Sequence, residues 1–188
     1  MRNVVGLGLG AAAIIAAGLT PTAAWAAVTS PAALSAPGPG DPDTTVTFTV
    51  TGGALAMTAP TSSNLGSGAP GTTISHSLGT VTVTDTRALL SATWTATASS
   101  TAFTTGLASL AETIPASDVN YNPGSITTTG TITATGTAVT LSGTPQTVVA
   151  GTAGVGNDTA SWNPTLAVSV PAASVGGLYT GTLTQSVS

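Results

Sequence analysis

Threonine and apolar side chains alternate along Thr44-Thr45-Val46-Thr47-Phe48-Thr49-Val50-Thr51, and this period of two narrows the fold more than any other feature of the chain. Successive side chains of a strand point to opposite faces, so Val46, Phe48 and Val50 share one face and the threonines take the other. The pattern predicts a strand here, the clearest in the sequence, and places the start of the folded domain near Thr44. Leu55 and Met57 point inward from a short strand after the Gly52-Gly53 turn. Alternation returns at Thr80 to Thr84 with Val81 and Val83, at Ala92 to Ala98 around Trp94, near Ile126 to Thr133, and at Ala138 to Leu141. Late in the chain Leu166, Val168 and Val170 alternate before Pro171, and Tyr179, Gly181, Leu183, Gln185 and Val187 share a face in the last strand. None of these runs has the three-to-four spacing of an amphipathic helix.

Turn chemistry separates the runs: a Gly-, Ser- and Pro-rich loop from Ala59 to Gly71, then Asn122-Pro123-Gly124, Gly143-Thr144-Pro145, the stretch Gly151 to Asp158, and Gly176-Gly177. Short strands at such spacing predict an all-β fold, a sandwich or barrel. An antiparallel β-sandwich, Ig-like or jelly-roll-like, over residues 44–188 is the expected form. The Thr-Gly-Thr echoes between Thr129 and Thr137 have too short a period for a solenoid unit and read as low complexity within strands.

The N-terminus has a different character. Arg2 precedes sixteen uncharged residues, Val4 to Leu19, of Val, Leu, Ile, Ala and Gly, and Ala24-Trp25-Ala26 then supplies small residues where a signal peptidase reads them. Residues 1–26 are therefore expected to be a signal peptide, cleaved after Ala26, since the run falls short of the roughly 18 to 20 apolar residues of a spanning helix. Residues 27–43, with Pro31, Pro37, Pro39 and Pro42 among Ala, Ser and Gly, read as an extended, flexible leader. No later segment is long and apolar enough to cross a membrane, so the released chain is expected to be secreted, with no membrane as partner.

Composition removes several function classes. The chain has no cysteine, which excludes disulfides, thiolate metal sites, cysteine nucleophiles and a lipobox anchor. After residue 26 one basic residue, Arg87, stands against six acids, Asp41, Asp43, Asp85, Glu112, Asp118 and Asp158, a balance of −5. Nucleic acid and anionic lipid both need clusters of Lys and Arg, so neither is an expected partner. Solubility must rest on hydroxyls: threonine supplies 37 of the 162 residues after Ala26, and it is well suited to the outer faces of sheets. The sequence also lacks a Leu-Pro-x-Thr-Gly sorting motif, so any hold on a cell surface is expected to be non-covalent.

Catalytic groupings are sparse. His76 is the one histidine, with no Gly-x-Ser-x-Gly elbow and no lysine beside it to build a nucleophile; it reads as a loop residue near Ser75 and Ser77. The acids read as turn carboxylates rather than as a glycosidase pair. Neither Gly40-Asp41-Pro42-Asp43 nor Gly156-Asn157-Asp158-Thr159 has the ligand density of a calcium loop. No metal and no cofactor is expected, and the chain is not expected to be an enzyme. Arg87 is expected to pin a strand end by pairing with Asp85, Asp118 or a carbonyl, with ligand binding as the alternative. Trp94 and Trp162 fit a sandwich core, with service as sugar platforms as the alternative. Together with Tyr179, these are the candidate binding residues: Trp94, Trp162, Arg87 and Tyr179.

Three sets of residues carry a family likeness: Val81-Thr82-Val83-Thr84-Asp85-Thr86-Arg87 leading to Trp94; Ile114 and Val119-Asn120-Tyr121 with Pro123-Gly124; and the C-terminal block. That block reads Ala160-Ser161-Trp162-Asn163-Pro164-Thr165-Leu166-Ala167-Val168-Ser169-Val170-Pro171, then Gly177-Leu178-Tyr179-Thr180-Gly181-Thr182-Leu183-Thr184. In these residues the segment from Val81 to Val187 resembles the WxL-type surface domains of Gram-positive bacteria, in an actinobacterial-looking form. The resemblance implies an exported β-sandwich that associates non-covalently with peptidoglycan or with other surface proteins. The family's first Trp-x-Leu motif is here Trp94-Thr95-Ala96, and the second falls on Thr184-Gln185-Ser186-Val187, without the tryptophan. The expected function is that of a non-enzymatic secreted or wall-associated surface protein. A self-assembling extracellular subunit, suggested by low charge and a terminal strand free to pair, is the alternative. A secreted hydrolase, resting on the export signal, the acids and His76, is the third reading.

Overall fold

The computed structural model describes Gly40 and residues 44–188; the expected signal peptide and nearly all of the expected leader lie outside the described residues. Contacts divide the chain into two units between Thr47 and Phe48, and the fold is that of the second, Phe48–Ser188.

The fold is all-β, antiparallel and sandwich-like. Its strands are β1 (Leu55–Thr58), β2 (Thr73–Ser77), β3 (Val81–Ser100), β4 (Phe103–Thr104), β5 (Thr113–Ile114), β6 (Val119–Asn122), β7 (Ile126–Thr129), β8 (Thr133–Gly136), β9 (Val139–Thr140), β10 (Gln146–Trp162), β11 (Thr165–Ser169) and β12 (Leu183–Val187). Single 3-10 turns at Leu110–Glu112 and Ala116–Asp118 are the helical elements among the described residues. The larger sheet runs β1-β3-β10-β7, with β12 also on β3 and β8 also on β10. The smaller sheet runs β2-β11-β6-β9, and β4 pairs with β5 alone.

The long strands β3 and β10 organise the molecule. They pair antiparallel from Val81↔Trp162 to Ala98↔Gln146, with register shifts concentrated between Gly151 and Asp158. Bulges of this kind bend a strand and strengthen its twist. Ala88 (φ 56°), Ala153 (φ 60°) and Gly156 (φ 77°) take left-handed backbone there, so the ribbon turns sharply in its middle. Each arm has its own neighbours: β1 and β7 flank the arm around Val83 and Ala160, while β12 and β8 flank the arm around Ala96 and Val149. Period two holds along both arms. Val81, Val83, Trp94, Ala96 and Ala98 of β3 are buried, as are Val149, Ala160 and Trp162 of β10. They form one core with Val119 and Tyr121 of β6 and Leu166 and Val168 of β11, which is how the larger sheet packs on the smaller.

The structure corrects four expectations. Residues 44–51 form no strand, and Val46, Phe48 and Val50 are 80%, 86% and 74% exposed. Alternation supplies a face, but a strand also needs an edge, and the edge of β3 beside β1 stops where Gly53 N–H meets the Thr86 carbonyl; beyond Thr86 the strand bends away. Gly151 to Asp158 is a bulged stretch inside β10 rather than a turn between strands, because its glycines let the ribbon bend without breaking it. The runs at Thr80–Thr84 and Ala92–Ala98 belong to one strand, β3. The last strand begins at Leu183, after Tyr179 and Gly181, with Thr180 bridged to Thr104.

Candidate functional site

The four residues singled out from the sequence fall in three places. Trp94 and Trp162 lie in the core, each 3% exposed, so neither ring offers a face to a sugar. The Trp94 indole packs against the backbone of Gly151, where any added Cβ would overlap it. Trp162 Nε1–H donates to Tyr121 Oη at 3.0 Å, and Tyr121 Oη donates to Gln185 Oε1 of β12 at 2.9 Å. This chain ties three elements across the core, and burial pushes the Tyr121 hydroxyl up to about 12, against the opposing effect of the Trp162 N–H.

Arg87 sits at the bend of the ribbon. Its Nε and Nη2 donate to Asp85 Oδ1 at 2.9 Å and Oδ2 at 2.7 Å, and Nη2 also donates to the Thr93 carbonyl at 2.8 Å. The sequence expectation of a structural pairing is met by Asp85 and by a carbonyl, at a mid-strand bend instead of a strand end. The Arg87 hydrogen bonds hold the Asp85 carboxyl below its ordinary value, outweighing the effect of burial.

Asp85 and Asp158 are not turn carboxylates, as their sequence surroundings suggest; both are buried within strands, directly opposite each other in the β3–β10 register. Asp158 Oδ1 accepts the backbone N–H groups of Thr131 and Ile132 at 2.7 and 3.1 Å, which anchors the β7–β8 connection to the bend. Its Oδ2 has no hydrogen-bond partner among the described residues. Glu112 serves its own turn, accepting Ser109 N–H at 3.0 Å. His76 lies on β2, exposed, rather than in a loop.

Tyr179 lines a concavity of the surface. Its hydroxyl donates to the Val175 carbonyl at 2.9 Å, with the Ala111 carbonyl at 3.1 Å, so the ring is fixed as a wall. The concavity, about 430 Å³, is lined by residues of the 63–70 loop, by Ile74 of β2, by Phe103, Ile114, Val168 and Val170, and by the 175–181 segment. A second hollow of about 210 Å³ continues it, sharing Ser63, Leu65, Phe103 and Gly181. No charged residue lines either part. In the larger part the side-chain polar groups are those of Ser63, Asn64, Ser67, Tyr179 and Thr180, and the rest of its lining is apolar or glycine. Sequence reasoning missed this groove because its lining comes from segments far apart in the chain, residues 63–70, Ile74, Phe103, Ile114, 168–170 and 175–181; of these Leu178 is a large apolar residue left 85% exposed. No family model, curated protein or solved structure matches the chain.

Proposed function

We propose that this chain is an exported, non-enzymatic structural subunit that associates with other copies of itself through the segment Thr44–Thr51. One observation carries the reading: Val46, Phe48 and Val50 alternate with threonine along the sequence as in a strand, yet each faces solvent and pairs with nothing among the described residues. Such a row of apolar side chains on an unpaired segment is a template for strand addition. Low charge supports the reading, because no charged residue lies between Thr44 and Thr51 to oppose approach of another chain. The test is sedimentation velocity of the processed chain, residues 27–188, from low to high micromolar concentration. Association that grows with concentration and is lost in Phe48→Asp supports the reading; a monomer throughout sinks it.

Retention on peptidoglycan is the second reading, favoured by the C-terminal block that resembles WxL-type domains. With Trp94 and Trp162 in the core, retention would have to use other surface. Pelleting with purified peptidoglycan tests it, and a chain that stays in the supernatant at every salt concentration removes it.

A further inference from the structure

Resting on the self-association reading, the geometry points to the acceptor: the apolar groove beside β2 of a second copy receives Val46, Phe48 and Val50 as an added strand. Three observations converge on it. The first is an open edge. β2 pairs with β11 on one side and with no strand on the other among the described residues, so its outward N–H and C=O groups lack strand partners and are available for main-chain pairing.

The second is size. From Val46 to Val50 an extended chain advances about 14 Å, and the five residues of β2 span about 17 Å, so the three apolar side chains fit within the length of that edge. The groove's volume of about 430 Å³ lies within the roughly 300–1,000 Å³ that encloses a drug-sized ligand, which is room for a few side chains of this class.

The third is chemistry. The lining offers the half-buried Leu65, Ile74, Phe103 and Val170, backed by the buried Ile114 and Val168, to apolar groups that are otherwise in water. Ser63, Asn64 and Ser67 also line it, while the threonine face of the incoming segment points away toward water. Neither partner carries a charge there, so nothing must be desolvated as an ion. A second copy is the occupant because the alternating segment is part of this chain and pairs with nothing among the described residues.

The chain's lack of cysteine makes a direct test available. Val50→Cys chains, which keep Phe48, are mixed under oxidising conditions with Ile74→Cys chains or, as a second acceptor position on the loop, with Leu65→Cys chains. Leu90→Cys, exposed at the bend of β3, is the control. The expected result is a disulfide-linked heterodimer with Ile74→Cys or Leu65→Cys at least tenfold in excess of that with Leu90→Cys, and loss of association when Leu178→Asp, at an exposed lining position, is placed in the acceptor. Association without preferential linkage to the groove overturns the acceptor and leaves the self-association reading standing. A strictly monomeric chain overturns both. A disulfide that closes within a single Val50→Cys/Ile74→Cys chain at high dilution shows same-chain insertion and overturns the second-copy occupant.

Discussion

Arg87 donates a hydrogen bond from Nη2 to the carbonyl of Thr93, six residues further along the same strand, at 2.8 Å. In a straight strand those residues would stand about 20 Å apart, far beyond the span of an arginine side chain. The bond is therefore a measure of how sharply β3 folds over, and it shows the guanidinium closing the bend with Asp85 as its second anchor. Removing it should loosen the junction between the two arms on which the sandwich is built.

Arg87→Ala leaves Asp85 buried without its cation, and a buried charge stripped of its partner is costly. The expected destabilisation is about 2–3 kcal/mol, reduced from the fully buried case because Arg87 itself reaches water. Urea denaturation of the variant and the parent at neutral pH reads it. The same pair sets an acid limit: Asp85 is depressed when folded, so its contribution is complete above its ordinary value of 3.8 and fades as pH falls through the lower folded value. Acid unfolding of Arg87→Ala should lack this component.

Tyr121 sets the alkaline counterpart. Its folded value of about 12 stands above the ordinary 10.0, so the unfolded chain loses the proton first and stability declines as pH rises from about 10 to 12. Two units correspond to about 3 kcal/mol. In a Tyr179→Phe background, where Tyr121 is the one tyrosine, the tyrosinate absorbance should appear near pH 12 in the folded chain. Tyr121→Phe should remove this alkaline loss and, by leaving Trp162 N–H without its acceptor, cost about 1–3 kcal/mol at neutral pH.

Gly151→Ala forces a methyl group into the space of the Trp94 indole. Overpacking of this kind costs about 1–3 kcal/mol, and the displaced ring should shift its fluorescence toward the red. An unchanged emission spectrum and an unchanged urea midpoint would contradict the packing described.

Ala88 and Ala153 hold left-handed backbone at φ 56° and 60°, a conformation that costs a residue with a Cβ about 1–2 kcal/mol. Glycine removes that strain but adds freedom to the unfolded chain. Ala88→Gly and Ala153→Gly are therefore expected to be neutral to stabilising by about 0.5–1 kcal/mol, unlike glycine substitutions elsewhere in β3. Thermal midpoints of the two variants check this.

Much of this architecture could be read in the residues and some could not, for physical reasons. Alternation revealed β1, β11 and both arms of β3, because one-sided burial forces period two. Val81, Val83, Trp94 and Leu166 are accordingly in the core. The pattern failed for β10: its glycines and alanines, chosen to pass beneath Trp94 and around the bend, look like turn residues when read alone. It failed differently at Val46, Phe48 and Val50, where alternation is strongest and no pairing is made among the described residues, since sequence records the face of a strand but not the edge it meets. The Arg87 pairing was legible because one cation among few acids has few choices. The groove was not, since Leu65, Ile74, Phe103, Ile114 and Val168 come together only in the fold.

Sedimentation velocity of residues 27–188, beside Phe48→Asp, is the most direct measurement of the central proposal that the exposed segment Thr44–Thr51 joins one copy to the next. The account predicts a weight-average sedimentation coefficient that climbs with concentration in the parent and stays at the monomer value in the variant. A parent that remains monomeric across the range, or a variant that associates as the parent does, contradicts it.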